Sequence, residues 1–256
     1  MDKSKIAKYY DSISYRSFCA YRTKNLKDVR VNTNKILAEI ARINCDTRVL
    51  DVGCGIGSSS AWLAENIGAN IVGITLSTKE KEAASSLAKK RGVSHLTEFY
   101  IKDFLQTGFP DNAFDVVWAI ESVCYADDKK DFLMEAYRVL KKGGKIVIAD
   151  GFLNREVRNS EQYIYEEFLK NLLLPNLALF RDFEKSMDEV GFSNIRIWNE
   201  TKQTKKYSVW DSTFKIAEVL QSVSGSLMSE QESKATRYNL IKIGLCGFGI
   251  FYGEKS

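Results

Sequence analysis

Short apolar, β-branched runs alternate with longer segments of helical periodicity from residue 48 onward. The runs predict five strands: Arg48–Val52, Asn70–Ile74, Thr97–Ile101, Phe114–Trp118 and Lys145–Ala149. The longer segments predict helices over Ser58–Ile67, Thr78–Lys90 and Asp127–Leu140, the last ending at a C-cap formed by Lys141-Lys142-Gly143-Gly144. Strand and helix therefore alternate as in a doubly wound α/β fold with a parallel sheet, which binds ligands at the carboxyl ends of its strands.

The flanking segments predict further elements around this core. Residues 1–46, 160–174, 180–190 and 207–240 carry helical patterns, while 193–198 and 243–252 are typical of a sixth and a seventh strand. We therefore expect a seven-stranded, mostly parallel sheet with a helical cap at its ligand-binding end.

Composition and charge narrow the class of protein. With 45% hydrophobic and 27% charged residues, the chain can bury a full core. The net charge of +4 is too small and too evenly spread to indicate a nucleic-acid partner. No run approaches 18 apolar residues, and the N-terminus lacks the apolar segment of a signal peptide, so we expect no stable membrane insertion. Five cysteines without C-x-x-C spacing predict reduced thiols in a cytoplasmic protein. The single histidine, His95, is interpreted as a surface or strand-entry residue, and we expect no metal site.

A glycine-rich loop directly follows the first predicted strand and opens a helix; it reads Asp51-Val-Gly53-Cys-Gly55-Ile-Gly57. Such glycines allow close approach of a ligand to the backbone, and the helix N-terminus offers unpaired N–H groups. The third glycine comes one position too early for the dinucleotide pattern G-x-G-x-x-G. Asp51 would repel a pyrophosphate but would tolerate a cofactor that carries an amino-carboxylate group.

The Asp-x-Gly-x-Gly-x-Gly pattern resembles motif I of the class I S-adenosylmethionine-dependent methyltransferases. The resemblance runs from about residue 46 to 150 and includes Gly73–Ser77, Lys102–Phe104, Phe109–Trp118 and Tyr137–Gly144. It implies a Rossmann-like methyltransferase fold and S-adenosyl-L-methionine as cofactor, in preference to a dehydrogenase or a purely structural sheet. It further implies a single domain over 1–256, with a cofactor-binding core of about 46–150 and a cap from 1–45 and about 151–240.

The resemblance also implies positions that contact the cofactor. Asp51 and Gly53 would lie beside its methionine part, and Asp103 would contact the adenine amino group. The acidic residue that ends the second strand in many relatives is replaced here by Thr75, so Thr75, Ser77 or Glu80 remains open as the partner of the ribose. The full predicted set is Tyr10, Asp51, Gly53, Cys54, Gly55, Gly57, Thr75, Leu76, Ser77, Asp103, Phe104, Ala119 and Ile120.

The segment from Trp118 to Lys129 resembles one branch of the family in particular. That branch holds sterol, tocopherol and prenyl-diphosphate C-methyltransferases together with sugar O-methyltransferases of natural products, and its acceptors are small molecules. The Pro-Pro-aromatic motif typical of nucleobase N-methylation is absent after the fourth strand, and the Tyr/Trp-Gly-rich motif of sterol enzymes is missing near the N-terminus.

The predicted function is therefore methyl transfer to a small, apolar metabolite of terpenoid, prenyl or sterol-like character, at carbon or oxygen. The alternatives are a sugar or polyketide O-methyltransferase, a non-catalytic cofactor-binding partner protein, and a tRNA or protein methyltransferase. The intact glycine loop argues against a non-catalytic partner protein. The small net charge argues against a tRNA methyltransferase. A homodimer is left open.

Glu121 is the predicted general base, because it follows the fourth strand at the mouth of the site. Its alternative role is to order the loop or the cofactor. Aromatic residues reach 12%, and their faces would stabilise a carbocation if they lined the acceptor pocket. The predicted acceptor residues are Tyr15, Phe18, Tyr21, Tyr125, Tyr165 and Phe168, with Tyr163 as a further candidate; the alternative is an ordinary cap core. Cys124 is interpreted as a packing residue, and Arg16, Arg22 and Arg30 either hold a phosphate group or form a solvated helix face.

Overall fold

A computed structural model describes residues 3–12, 26–202 and 240–256 of the chain. Seven strands form one sheet in the order β3-β2-β1-β4-β5-β7-β6. The strands are β1 (Arg48–Val52), β2 (Asn70–Thr75), β3 (Thr97–Ile101), β4 (Phe114–Ile120), β5 (Leu140–Leu153), β6 (Phe192–Asn199) and β7 (Cys246–Lys255). The α-helices are α1 (Lys3–Ser12), α2 (Leu26–Ala41), α3 (Ser58–Ile67), α4 (Thr78–Lys90), α5 (Lys129–Val139), α6 (Gln162–Asn171) and α7 (Phe180–Val190).

The sheet is mostly parallel, as predicted. Strands β1 to β5 pair in parallel, and β7 pairs antiparallel with both β5 and β6. The chain order reverses between β1 and β4, so the carboxyl ends of these two strands flank the crevice in which doubly wound folds bind their ligands.

Two hydrophobic layers cover the two faces of the sheet. One layer packs α2, α3 and α4 against the sheet around Trp118, and the other packs α5 and α7 around Phe132 and Phe183. Successive residues of β5, such as Val147 and Ile148, enter opposite layers because strand side chains alternate between faces. A third cluster, which includes Tyr165, Phe168 and Leu177, lies beneath α6. None of the described helices has the length and apolar character needed to cross a membrane.

Two predicted boundaries are wrong for a physical reason. Helix α5 ends at Val139, and Leu140 is already extended and fully buried, so the Lys-Lys-Gly-Gly segment opens β5 and is no helix C-cap. The pairing of Leu140 with Phe114 determines this boundary, which local composition does not reveal. Strand β7 begins at Cys246 because Gly244 adopts a φ of 74° and turns the chain, with its N–H donating to the carbonyl of Ile241. The predicted helix over 207–240 lies outside the described residues except at its last position.

Candidate active site

A cavity of about 1600 Å³, measured with its open mouth, lies at the carboxyl ends of the parallel strands. Its β1–β3 side is formed by Gly53, Gly55, Ile74, Thr75, Leu76, Ser77, Glu80, Lys102, Asp103, Phe104 and Leu105. Its β5–β7 side is formed by Cys124, Tyr125, Asp127, Phe168, Leu172, Leu174, Leu177, Ile241, Cys246, Gly247 and Phe248. Between the two sides lie Ile120, Glu121, Ser122, Asp150 and Gly151.

The glycine loop after β1 packs too closely for side chains. Gly53 has a φ of +70°, and a Cβ on it would lie 2.5 Å from the Cβ of Ser122. Gly57 has a φ of +73°, and its Cβ would lie 2.7 Å from the Cβ of Ala84 on α4. Both the positive φ and the close approach require glycine at these two positions. Of the loop glycines, Gly53 and Gly55 line the cavity, so at these two positions a ligand would meet backbone and no side chain.

Asp51 lies near the end of β1, two residues before Gly53, and is not itself among the residues that line the cavity. Its side chain is buried, and the Ser60 hydroxyl on α3 donates a hydrogen bond of 2.5 Å to its Oδ2. Burial raises the pKa of Asp51 to about 6, against the lowering effect of the Ser60 hydrogen bond. At neutral pH the free protein therefore holds a buried carboxylate at a cost in stability.

Replacing Asp51 should reveal this cost through its pH dependence. Because the pKa of the folded state lies above that of the unfolded state, ionisation of Asp51 lowers the free energy of unfolding as pH rises from about 4 to about 6. The free energy of unfolding of Asp51→Asn should therefore increase relative to wild type over this window, by up to roughly 3 kcal/mol. Urea unfolding at pH 4 and pH 7.5 measures the difference. A difference that does not change with pH would contradict the assignment.

The end of β2 carries a network of buried polar groups. The Thr75 hydroxyl donates to Glu80 Oε2 at 2.6 Å, and Ser77 caps α4 by accepting from the Glu80 N–H at 3.0 Å. Glu80 is buried and lines the cavity. Burial raises its pKa; the Thr75 hydrogen bond acts in the opposite direction, and the charge of Asp11 raises it further. The Glu80 carboxylate therefore lies beside Thr75, the residue that ends β2.

Helix α1 covers the β1–β3 side of the cavity, which Lys3, Ile6 and Ala7 help to line. Lys3 forms an ion pair with Asp103. At the other end of the helix, Asp11 accepts from the Ser77 hydroxyl, and its carbonyl accepts from Lys79 Nζ at 2.8 Å. The helix is therefore held at both of its ends to the strand ends below it.

Two carboxylates stand at the centre of the cavity. Glu121 follows β4 with a φ of +50°, an uncommon conformation for a residue with a side chain, and its N–H donates to the carbonyl of Ala149 at 2.9 Å. Asp150 on β5 is buried and accepts from the N–H of Cys124 at 3.0 Å and from its neighbour Gly151 at 2.7 Å. Burial raises the pKa of Asp150, and the nearby charge of Glu121 adds to the shift. Strained conformations of this kind are concentrated at functional sites.

The β5–β7 side is a mainly apolar chamber under α6. Phe168 and Leu177 are buried there, and Tyr125 Oη donates to the carbonyl of Leu172 at 3.2 Å. Burial raises the pKa of the Cys124 thiol well above its usual value, with the charge of Asp150 acting in the same direction. A thiol held in its neutral form is a poor nucleophile, in keeping with a packing role for Cys124.

The structure brings most of the predicted site residues to this one cavity. Those that line it are Gly53, Gly55, Thr75, Leu76, Ser77, Asp103, Phe104, Ile120, Glu121, Tyr125 and Phe168. Asp51, Cys54, Gly57 and Ala119 lie behind the wall, where they support the loop and the strand ends.

The predicted aromatic residues have different outcomes. Tyr165 packs in the cap cluster, where its hydroxyl accepts from the N–H of Leu177 at 2.9 Å, and it is no part of the cavity lining because that hydrogen bond holds it in the cap. Tyr163 is 75% exposed. Tyr10 lies on α1, but its side chain is outside what is described, as are the predicted residues Tyr15, Phe18 and Tyr21.

Several cavity residues were missed by sequence reasoning. Asp150 directly follows the apolar run Ile146–Ala149 and precedes a glycine, and this signal could have identified it. Ser122 and the leucines at 172, 174 and 177 carry no local signal, because only the packing of α6 over the sheet brings them to the cavity.

Comparison with known proteins identifies the family. A family model described as a methyltransferase domain matches residues 50–148. Over 218 residues the chain is 31% identical to the 2-methyl-6-phytyl-1,4-hydroquinone methyltransferase of Synechocystis sp., covering 80% of this chain and 67% of that relative. The chain belongs to the class I S-adenosylmethionine-dependent methyltransferases.

Other relatives agree with this assignment. The methyltransferase is 37% identical over 162 residues to the probable tocopherol O-methyltransferase of Oryza sativa subsp. japonica, covering 59% of this chain and 44% of the relative. The chain thus spans less than half the length of that relative. The fold of the present chain matches the crystal structure of geranyl diphosphate C-methyltransferase from Streptomyces coelicolor A3(2) with a TM-score of 0.82 and 18% identity. The match covers 99% of this chain and 98% of the other.

The β1–β3 side of the cavity suits the family's cofactor, S-adenosylmethionine. Gly53 and Gly55 bring backbone atoms to the cavity wall, and the buried Glu80 and the partly exposed Asp103 offer carboxylate acceptors of the kind that ribose hydroxyls and an adenine amine require. Phe104 lies at the same wall and is anchored by an edge-to-face contact with Phe132, with ring centroids 5.6 Å apart. These donor and acceptor types fit a nucleoside bearing an amino acid.

Proposed function

We propose that this methyltransferase transfers a methyl group from S-adenosylmethionine to a small, mainly apolar acceptor, at carbon or oxygen. One observation carries the proposal: a single cavity joins a polar, glycine-lined side above β1–β3 to an apolar chamber above β5–β7, with Glu121 between them. An acceptor in the chamber and a cofactor over the glycine loop would meet at that carboxylate.

On this proposal the cofactor is held by groups from three segments: the loop after β1, the first turn of α4 and the turn after β3. Gly53 and Gly55 face its amino acid part, Glu80 accepts from its ribose hydroxyls, and Asp103 accepts from its adenine amine. Glu80 would thus replace, from the first turn of α4, the acidic residue that ends the second strand in many relatives. Bound there, the cofactor supplies an electrophilic methyl group on a sulfonium.

The chain's own contribution is positioning and proton removal. The apolar walls orient the acceptor toward the methyl group and exclude water, and such positioning supplies much of the rate of a transfer between two bound molecules. Glu121 then takes a proton: from an acceptor hydroxyl in O-methylation, or from the carbocation left by C-methylation. Both O-methylation and C-methylation therefore need one carboxylate between the β1–β3 side and the β5–β7 side of the cavity.

The chamber favours a prenyl-like or sterol-like acceptor over a bare sugar. Leu172, Leu174, Leu177, Ile241 and Phe248 form much of its wall, whereas a sugar requires a surface rich in hydrogen-bonding groups. The relatives named above include enzymes for a phytyl-hydroquinone and for geranyl diphosphate, which share an isoprenoid chain. An isoprenoid tail would fill the chamber and place the reactive head of the acceptor at Glu121.

Calorimetric titration with S-adenosylmethionine and with S-adenosylhomocysteine tests the first half of the proposal. Absence of binding at millimolar concentration would overturn this first half.

The second half is tested by incubating the protein with labelled cofactor and one of four acceptors: a prenylated hydroquinone, geranyl diphosphate, a sterol or a glycoside. We expect transfer of the label to an isoprenoid acceptor. Transfer to the glycoside alone would show that the chamber binds a sugar and not an isoprenoid chain. A cytoplasmic location, a homodimer and the division into core and cap stay predictions from sequence.

A further inference from the structure

Gly151 on β5 is a glycine that the packing of the fold does not require. Every other described glycine has either a positive φ, as at Gly244, or an atom closer than 3.0 Å to the place that a Cβ would take, as at Gly253. The φ of Gly151 is not positive, and a Cβ on it would have no described atom beyond its chain neighbours within 4 Å. Because glycine inside a strand lowers stability relative to alanine, its presence here has another reason.

The surroundings of Gly151 leave one such reason. Glycines inside strands mark a bulge, a tight bend, or a point where a ligand or a second backbone comes close. The pairing of β5 with β7 runs without a shift from Lys145 to Leu153, which argues against a bulge or a bend at Gly151. The open space at its Cβ position excludes a second backbone among the described residues. Since Gly151 lines the cavity, a ligand remains.

The position of Gly151 in the sheet indicates which ligand uses this space. Gly151 pairs with Phe248 on β7, and opposed residues of an antiparallel pair carry their side chains on the same face. Phe248 lines the chamber, and β4 separates β5 from the strand that bears the glycine loop. The carbonyl of Ala149, two residues before Gly151, accepts from the N–H of Glu121 at 2.9 Å. The space therefore lies on the acceptor side of the cavity, next to the segment that carries the central carboxylate.

Resting on the proposed function, we infer that Gly151 is a specificity-determining residue: the space over it receives the head of the acceptor, the part that takes the methyl group. A side chain here would narrow the cavity at the acceptor head and leave the glycine loop and the ends of β2 and β3 unchanged. The bare strand thus admits a broad head, such as a ring, which an alkyl group at this position would displace.

The series Gly151→Ala, Gly151→Val and Gly151→Leu tests the inference with the acceptor identified in the panel above. The value of kcat/KM should fall with side-chain size, about threefold for alanine and about 100-fold or more for leucine, since a shift of about 1 Å in a reacting group can cost about 100-fold in rate. Calorimetric affinity for S-adenosylhomocysteine should stay within about twofold, because the cofactor lies on the other side. An unchanged kcat/KM, or an equal loss of cofactor affinity, would overturn the inference.

Two competitors with the same tail and different heads test the specificity itself. Geranylhydroquinone ends in a ring and geraniol in an open chain, and each is added as an inhibitor of methyl transfer. In Gly151→Val the inhibition constant of geranylhydroquinone should rise about tenfold or more, and that of geraniol should change less than about threefold. Equal changes would overturn the inference. Absence of inhibition of the wild-type protein by both compounds would instead overturn the isoprenoid acceptor proposed above.

The melting temperature separates this role from a structural one. Gly151→Ala should raise it by about 1–4 °C, because alanine loses less conformational entropy on folding and finds open space. Gly253→Ala on β7 is the matched control: its Cβ would lie 2.8 Å from Met187 Cε, so it should lower the melting temperature and leave kcat/KM unchanged. A lower melting temperature of Gly151→Ala would show that the fold requires this glycine and would overturn the inference. Failure of the wild-type protein to bind S-adenosylmethionine would overturn the proposed function instead.

Discussion

Glu121→Gln is expected to lower turnover by about 10²–10⁴-fold, the usual contribution of general acid–base catalysis, while the affinity for S-adenosylmethionine changes less than about threefold. The amide keeps the size and the hydrogen-bonding reach of the carboxylate but cannot take a proton. The measurement is kcat with labelled cofactor and the acceptor found in the panel above, beside calorimetric cofactor binding. Glu184→Gln, an exposed glutamate on α7, is the matched control.

A second variant separates the carboxylate from the backbone that carries it. Glu121 has a φ of +50°, which glycine adopts without strain. Glu121→Gly should therefore fold normally and lose turnover as completely as Glu121→Gln. Retained turnover in both variants would remove Glu121 from catalysis and leave it a role in shaping the loop after β4.

Asp150 is the competing base, since it is also a carboxylate at the cavity wall and its pKa is raised by burial. However, a backbone N–H donates to each of its two oxygens, Cys124 to Oδ2 and Gly151 to Oδ1, so both oxygens already hold the surrounding backbone. We expect Asp150→Asn to lower kcat less than Glu121→Gln does. The reverse order would transfer the role of base to Asp150.

Sequence reasoning placed the strands of the core well because their pattern is local. Each of β1 to β4 is a short apolar run that ends at a glycine or a polar residue, and its predicted bounds agree with the structure to within two residues. The start of β5 was missed because Lys141–Gly144 has the composition of a helix stop, while the pairing of Leu140 with Phe114 overrides it. Local chemistry predicts an element; pairing across the sheet determines where it begins.

The two sides of the cavity differ in the same way. The β1–β3 side is built from loops that directly follow strands, so the glycine loop, Thr75 and Asp103 are visible in the sequence. The chamber is built from segments far apart in the chain, such as Leu177 and Phe248, which meet only when α6 packs over the sheet. Ser122 is the extreme case, because only the folded packing shows that its buried hydroxyl has no hydrogen-bond partner among the described residues.

Lys129 joins the loop that follows Glu121 to the segment that forms part of the chamber wall. Its side chain is buried, and its ammonium donates to the carbonyls of Cys124 at 3.0 Å, Asn176 at 3.2 Å and Ala126. Burial lowers its pKa, and the charges of Asp150, Asp127 and Asp128 oppose the shift. One cation therefore ties the segment after Glu121 to the segment that bears Leu174 and Leu177.

Lys129→Met is expected to lower the free energy of unfolding by about 2–4 kcal/mol, because it leaves these buried carbonyls without a donor. The KM for the acceptor should rise by about tenfold or more, since both loops wall the chamber, while the affinity for S-adenosylmethionine, bound on the other side, should stay within about threefold. Urea unfolding, steady-state kinetics and calorimetry measure the three quantities.

The adjacent Lys130 provides the control for this experiment. It lies on the surface in an ion pair with Glu189 at 2.6 Å, and exposed pairs of this kind contribute at most about 1 kcal/mol. Lys130→Met removes the same charge one residue away without touching the loops. Equal losses of stability in the two variants would show that Lys129 does not join the loops. A loss of cofactor affinity in Lys129→Met that equals the rise in KM for the acceptor would show that Lys129 supports the whole site. A loss confined to Lys129→Met and to the acceptor would establish that the chamber is held in shape by a single buried ammonium.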